Sequence, residues 1–324
     1  MMIWVFLAAF LALPTNTLAA TVPTVNTIDI AGLAKPLLNV SSLDAIDRRF
    51  TTTTQIQGPA LNVDAFLLSV VEAMATYAML NFTADVKPVK VGSPDVTVVS
   101  RGPKPGETVE ARFLVWGLYA GIRGLILYDI LKTVEFTLKW DGNVVGYIKI
   151  RKPNAQPSGS VDDTTVLTPQ YSTFPSTPAL VDETNMIDKS MQIPDNSASL
   201  SVQFTGFGQP LARDGVIITI LKALLSIAPK DSEQTVQPFH VSGPAPYDAT
   251  LRIRPLRPRP SPSAKAFTYA MVSRILLDIT QQALQRGTWS EAYFDVVVDG
   301  VANGRGAFVK GESNVQDGHQ LARA

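Results

Sequence analysis

This chain carries one architecture twice. Leu61-x-x-Asp64 returns as Leu211-x-x-Asp214, Asp95 to Arg101 (DVTVVSR) returns as Asp248 to Arg254 (DATLRIR), and Asp141-Gly142 returns as Asp299-Gly300. The copies lie 150, 153 and 158 residues apart. An offset that grows slowly along anchors of fixed order is what a duplication followed by a few loop insertions leaves behind. The apolar stretch Ala111 to Leu131, ARFLVWGLYAGIRGLILYDIL, has a fainter copy in Lys265 to Leu284. The two share Tyr-Ala (Tyr119-Ala120, Tyr269-Ala270) and Asp-Ile (Asp129-Ile130, Asp278-Ile279).

The elements between the anchors repeat as well. In the first copy Thr51 to Gln57 is rich in β-branched residues and predicts a strand. A helix follows, capped by Asp64, with Phe66, Val70, Met74 and Tyr77 at helical spacing. Lys87 to Pro94 reads as a loop and Asp95 to Arg101 as a strand. After the long helix come strands at Thr133 to Trp140 and Val144 to Ile150. Asp-Gly between them predicts a tight hairpin, because both residues tolerate positive φ. The second copy gives a strand at Leu200 to Thr205, a helix with Ile217, Ile220, Leu221 and Leu224 on its stripe, a long helix stopped by Gly287, and a closing hairpin.

The expected fold class is therefore α+β: two tandem βαβαββ repeats, pseudo-twofold related, with mixed sheets covered by helices. Strands joined through helices favour parallel pairing, and the closing hairpins are antiparallel. The boundaries are a signal stretch at 1–19, a leader at 20–50 with a short helix near Ser42 to Arg49, and the first repeat at 51–152. A Pro/Ser/Thr-rich linker covers 153–198, the second repeat 199–311 and a polar tail 312–324.

Composition narrows the compartment. Ile3 to Leu13 is an apolar run broken by Pro14, and Thr17-Leu18-Ala19 offers small residues for a cut after Ala19, the pattern of a secretory signal. The run is too short for a span of about 20 residues. The expectation is a secreted, extracellular protein with no transmembrane span in its mature part. Cysteine is absent, so thiol chemistry and thiolate metal sites are excluded and packing alone must hold the fold. With 28 basic and 28 acidic residues the net charge is zero, which argues against a nucleic-acid partner. Asn39-Val40-Ser41 and Asn81-Phe82-Thr83 are glycosylation acceptors.

Chemistry is harder to find. Gly117, Ala120, Gly121 and Gly124 share one helical face, which predicts close approach of another helix. Arg101 and Lys104 in the first copy, and Arg252, Arg254, Arg257 and Arg259 in the second, form a candidate anion site for an anionic glycan or cell-surface component. The plainer reading is a charged strand edge that resists aggregation. His240 is a lone base, and the recurring Asp95 and Asp248 are weak catalytic candidates whose plainer role is to hold turns. Asp64 and Asp214 read as helix caps. No nucleophile elbow, zinc motif or phosphate loop is present, so no metal or cofactor is expected. Trp116, Trp140 and Trp289 read as packing residues.

Three functions compete. The first is a secreted non-enzymatic interaction or ligand-binding protein. The second is a hydrolase whose carboxylates meet between the repeats. The third is a carrier holding an apolar molecule between the long helices, lined by residues such as Phe113, Tyr119, Tyr269 and Met271.

Overall fold

Strand periodicity carries directly into burial. In KTVEFTLKW the residues Val134, Phe136 and Leu138 are buried, while Glu135, Thr137 and Lys139 alternate outward. This computed structural model describes residues 46–153, 199–244, 247, 249–256 and 266–311, with the backbone of 27–28 and 165–166. The signal stretch 1–19, Asn39, most of the linker, Asp248, Arg257, Arg259 and the tail 312–324 lie outside the described residues.

The first repeat comprises β2 (Phe50–Ala60), α1 (Val63–Ala78), β3 (Asp85–Val86), β4 (Val89–Gly92), β5 (Thr97–Arg101), β6 (Val109–Glu110), α2 (Ala111–Leu127), β7 (Lys132–Trp140) and β8 (Asn143–Arg151). The second comprises β10 (Leu200–Pro210), α3 (Arg213–Ile227), β11 (Phe239–Ser242), β12 (Ala249–Pro255), α4 (Tyr269–Arg286), β13 (Ser290–Val298) and β14 (Val301–Lys310). Two short strands, β1 (Thr27–Ile28) and β9 (Thr165–Val166), add to the first sheet.

The sheet orders are β1-β2-β7-β8-β5-β4-β9 and β10-β13-β14-β12-β11. Without its two flanking strands, the first has the same order as the second. The registers agree over most of the sheet, parting only at the ends of β2 and β10, where β10 bulges between Phe204 and Gly206 and β2 does not. Phe50 faces Trp140 as Leu200 faces Val298, Val89 faces Ser100 as Phe239 faces Ile253, and Val134 faces Ile150 as Ala292 faces Phe308. The hairpin bulge coincides: the shift between Leu138 and Lys139 reappears between Val296 and Val297. Both hairpin turns hold Asp and Gly at positive φ, 50° and 79° at Asp141-Gly142 and 51° and 77° at Asp299-Gly300.

Four expectations about elements and their pairing need correction. Val89–Gly92 is a strand and not a loop, because Val89 and Val91 point inward and Lys90 outward. Within each repeat all sheet pairings are antiparallel; the parallel pair β4–β9 alone makes the first sheet mixed. The described end of the leader, Ile46 to Arg49, turns into β2 instead of forming a helix, with the Phe50 amide donating to the Asp47 carbonyl at 2.9 Å. The long helices are matched two turns away from the Tyr-Ala alignment. The amides of Ala111 and Arg112 donate to the carbonyls of Ala84 and Phe82, as those of Tyr269 and Ala270 donate to Gln234 and Ser232. Tyr269 therefore corresponds to Ala111, and the insertion falls just before α4.

The helices form the middle of the molecule. α1 packs on α2, α3 and α4, and α2 packs on α3, so the two repeats meet helix to helix with a sheet on each outer side. A twofold that exchanges α1 with α3 and α2 with α4 reproduces these contacts. Covered on so many sides, α1 is apolar nearly all round, and one core cluster draws residues from both repeats. Gly117 and Gly121 of α2 serve the sheet and not another helix. A Cβ at Gly117 would strike Leu138 Cδ2, and one at Gly121 would lie 2.5 Å from Phe136 Cε1. No described helix is long and apolar enough to cross a membrane.

Candidate functional site

The segments Leu61-Asn62-Val63-Asp64 and Leu211-Ala212-Arg213-Asp214 start the first helix of each repeat. Their leucine amides are tied to the far end of the second helix, Leu61 N–H to Leu131 O and Leu211 N–H to Trp289 O, both at 3.0 Å. Asp64 and Asp214 are not caps. The extended backbone that precedes the first turn belongs to Asn62, whose Oδ1 accepts from Ala65 N–H at 2.9 Å, and to Ala212, which has no capping side chain. The two aspartates sit inside the first turn, where the helix dipole favours a carboxylate.

Both aspartates line one open cleft of about 430 Å³ between the repeats. Asp64 comes from the first repeat; Ala212, Arg213, Asp214, Leu284, Gly287 and Trp289 come from the second. Arg213 Nε donates to Asp214 Oδ1 at 3.1 Å. The Tyr247 side chain lies against Gly215, next in the chain to Asp214, and burial, then the Asp214 charge, push its hydroxyl above its usual pKa. Among the described residues the Asp64 carboxylate has no hydrogen-bond or ion-pair partner and stays exposed. The cleft thus offers one uncommitted acceptor, one neutralised ion pair and an apolar wall of Leu284 and Trp289. Such a mixture can orient a polar molecule that also presents an apolar face.

The other candidate residues do not converge. Asp95 is exposed at a bend before β5, and His240 is exposed on β11 opposite Arg252. Arg101 lies 4.3 Å over the Tyr147 ring and 3.7 Å from Glu135, on the outer face of the first sheet. Lys104 pairs with Glu107 at 3.5 Å. Arg252 and Arg254 alternate with the buried Leu251 and Ile253, so they face outward from the second sheet, on the opposite side of the molecule from Arg101. Asn81 is exposed, and its Oδ1 accepts from the Thr83 hydroxyl at 3.1 Å. Phe113, Tyr119 and Tyr269 are buried in the common core, and Met271 packs against it; none lines the cleft. Trp116 and Trp140 stack at 5.9 Å beneath Arg49 and Arg112, a packing role.

No known protein family matches this chain. No curated protein matches it either. A solved structure from Thermobifida fusca, provisionally described as a thioesterase II, is 12% identical, with 81% of this chain and 92% of that chain covered. Its TM-score is 0.11, far too low to carry an argument about fold or activity.

Sequence reasoning missed Trp289, Leu284 and Arg213 as site residues. Register supplies the signal it lacked. Trp289 corresponds to Leu131, Gly287 to Asp129 and Arg213 to Val63, so the equivalent corner of the first repeat has neither the indole nor the guanidinium.

Proposed function

We propose that this is a secreted, non-enzymatic ligand-binding protein whose site is the cleft between the repeats. The observation that carries this reading is the meeting of the duplicated pair Asp64 and Asp214 with Arg213 and Trp289 in one concavity. Asp214 is held by Arg213 and is committed to orienting the site, which suits recognition better than proton transfer. Secretion rests on the signal pattern at 1–19, and the exposed Asn81 turn is a suitable glycan acceptor. The anionic-glycan partner rests on cations spread over two opposite faces and is secondary.

Saturation-transfer NMR against a panel of neutral, anionic and cationic small molecules tests the site. Hits are expected to vanish in Trp289→Ala, which keeps a native circular-dichroism spectrum although lost packing lowers its melting temperature, and to weaken in Asp64→Asn at an unchanged melting temperature. Hits indifferent to both substitutions, or none at millimolar concentration, refute it. A hydrolase remains the rival because two carboxylates share the cleft. Product released from any panel member, and lost in both Asp64→Asn and Asp214→Asn, would favour that rival.

A further inference from the structure

The duplication supplies an internal control for what folding requires. By strand register the first repeat has Ile56, half-buried opposite Val134, where the second has Phe207, 57% exposed opposite Ala292. The same strand, packing and topology are thus achieved without an aromatic ring there. Phe207 is also held in place. Register shifts on either side of it break β10, and a bulge of this kind re-aims side chains. The ring stacks on Phe204 at 5.3 Å and 25°, and the Arg286 guanidinium lies 4.8 Å above it. Glu291 fixes the following backbone by accepting from Gln209 N–H at 3.2 Å, with its other oxygen on Lys310 N–H at 2.8 Å.

Arg286, which covers Phe207, is the chain neighbour of Gly287, which lines the cleft. Across this surface three carboxylates, Asp64, Asp214 and Glu291, face two guanidinium groups, Arg213 and Arg286, so it offers no surplus of positive charge to an anionic ligand. Two aromatic rings, hydrogen-bonding side chains along the same rim and no positive surplus match a chain of sugar units, whose rings present C–H faces to aromatics and hydroxyls to Asp and Arg. We infer that the ligand of the inter-repeat cleft is a neutral oligosaccharide, one unit seated against Trp289 and a later unit stacked on Phe207. This rests on the cleft being the binding site.

Calorimetric titration of the full chain with β-1,3- and β-1,4-linked glucose oligomers of increasing length, and separately with sulfated dextran, tests it. For one linkage the affinity rises about tenfold from the monosaccharide to the tetrasaccharide. Phe207→Ala abolishes that rise and leaves monosaccharide binding unchanged, and Trp289→Ala removes binding at every length. Equal affinity at all lengths, or a length dependence that survives Phe207→Ala, overturns the platform while leaving the cleft reading intact. Binding of sulfated dextran alone overturns the neutral-sugar assignment. Sugar binding that ignores Trp289→Ala overturns both readings.

Discussion

Asp129 occupies a backbone position that suits glycine. Its φ is 51°, just past the end of α2, and the corresponding residue after α4 is Gly287 at 65°. Left-handed backbone costs a side-chain-bearing residue about 1 kcal/mol, partly offset by the greater freedom that glycine loses on folding. Asp129→Gly is therefore expected to raise stability by about 0.5 kcal/mol, and Gly287→Ala to lower it by about 1 kcal/mol, both read as shifts of the urea midpoint. A second residue carries a pH signature. Glu72 on α1 is desolvated, which pushes its carboxyl from 4.5 up to about 7. Folding therefore favours the protonated acid. The stability this gives is full below the unfolded value near 4.5 and is lost as pH rises toward 7. The loss is about 3 kcal/mol at 1.4 kcal/mol per unit. Asp278 on α4, raised by burial to about 6 against the opposing charge of Arg274, acts in the same direction. Glu72→Gln should flatten most of the fall between pH 5 and 7; an unchanged slope across a pH series of urea melts would show that the side chain is solvated.

The helix–sheet seam shows how the two copies solved one packing problem differently. In the first repeat Gly117 and Gly121 open a slot in α2 for Leu138, Ile148 and Phe136. In the second the helix positions are Ile275 and Ile279, and the room comes from the strand. Gly306 stands where the first repeat has Ile148, and a Cβ there would strike the Phe294 ring. The same phenylalanine is thus accommodated from opposite sides. Gly121→Ala should cost about 1–2 kcal/mol, since overpacking outweighs the roughly 1 kcal/mol gained in helix propensity. Adding Phe136→Leu should recover part of that loss, and a double-mutant cycle with no coupling would contradict the seam. Legibility followed the same physics. Period-two strands and Asp-Gly turns are local signals and were readable. β4 was written in the alternation of Val89, Lys90 and Val91 but was hidden by the prolines around it. The register of α4 was misread because a shared Tyr-Ala pair is weaker information than four matched backbone hydrogen bonds. The recurrence of Asp64 and Asp214 was visible, whereas Trp289 reaches them only through the packing of a helix whose far end is distant in sequence.

At the scale of the molecule, the decisive feature is that neither repeat buries its helices alone. Phe66, Met74 and Leu114 share one apolar cluster with Ile217, Leu221 and Ile275, and α1 touches both helices of the other repeat. Separating the repeats would expose the faces that make α1 apolar nearly all round, at about 25 cal/mol for each Å² of apolar surface uncovered. No disulfide is available to hold either half once that surface is wet. The two copies should therefore unfold as one cooperative unit, although each has its own complete sheet. Tryptophan placement makes this measurable. Trp116 and Trp140 report on the first repeat, and Trp289 on the second. Denaturant melts followed by fluorescence in Trp289→Phe, and in the double variant Trp116→Phe and Trp140→Phe, should run parallel to the circular-dichroism curve of the same variant, with equal m-values. Two separated transitions, or a midpoint that depends on which repeat is observed, would mean that the helix layer is a contact between two independent domains; the cleft would then open without either half melting.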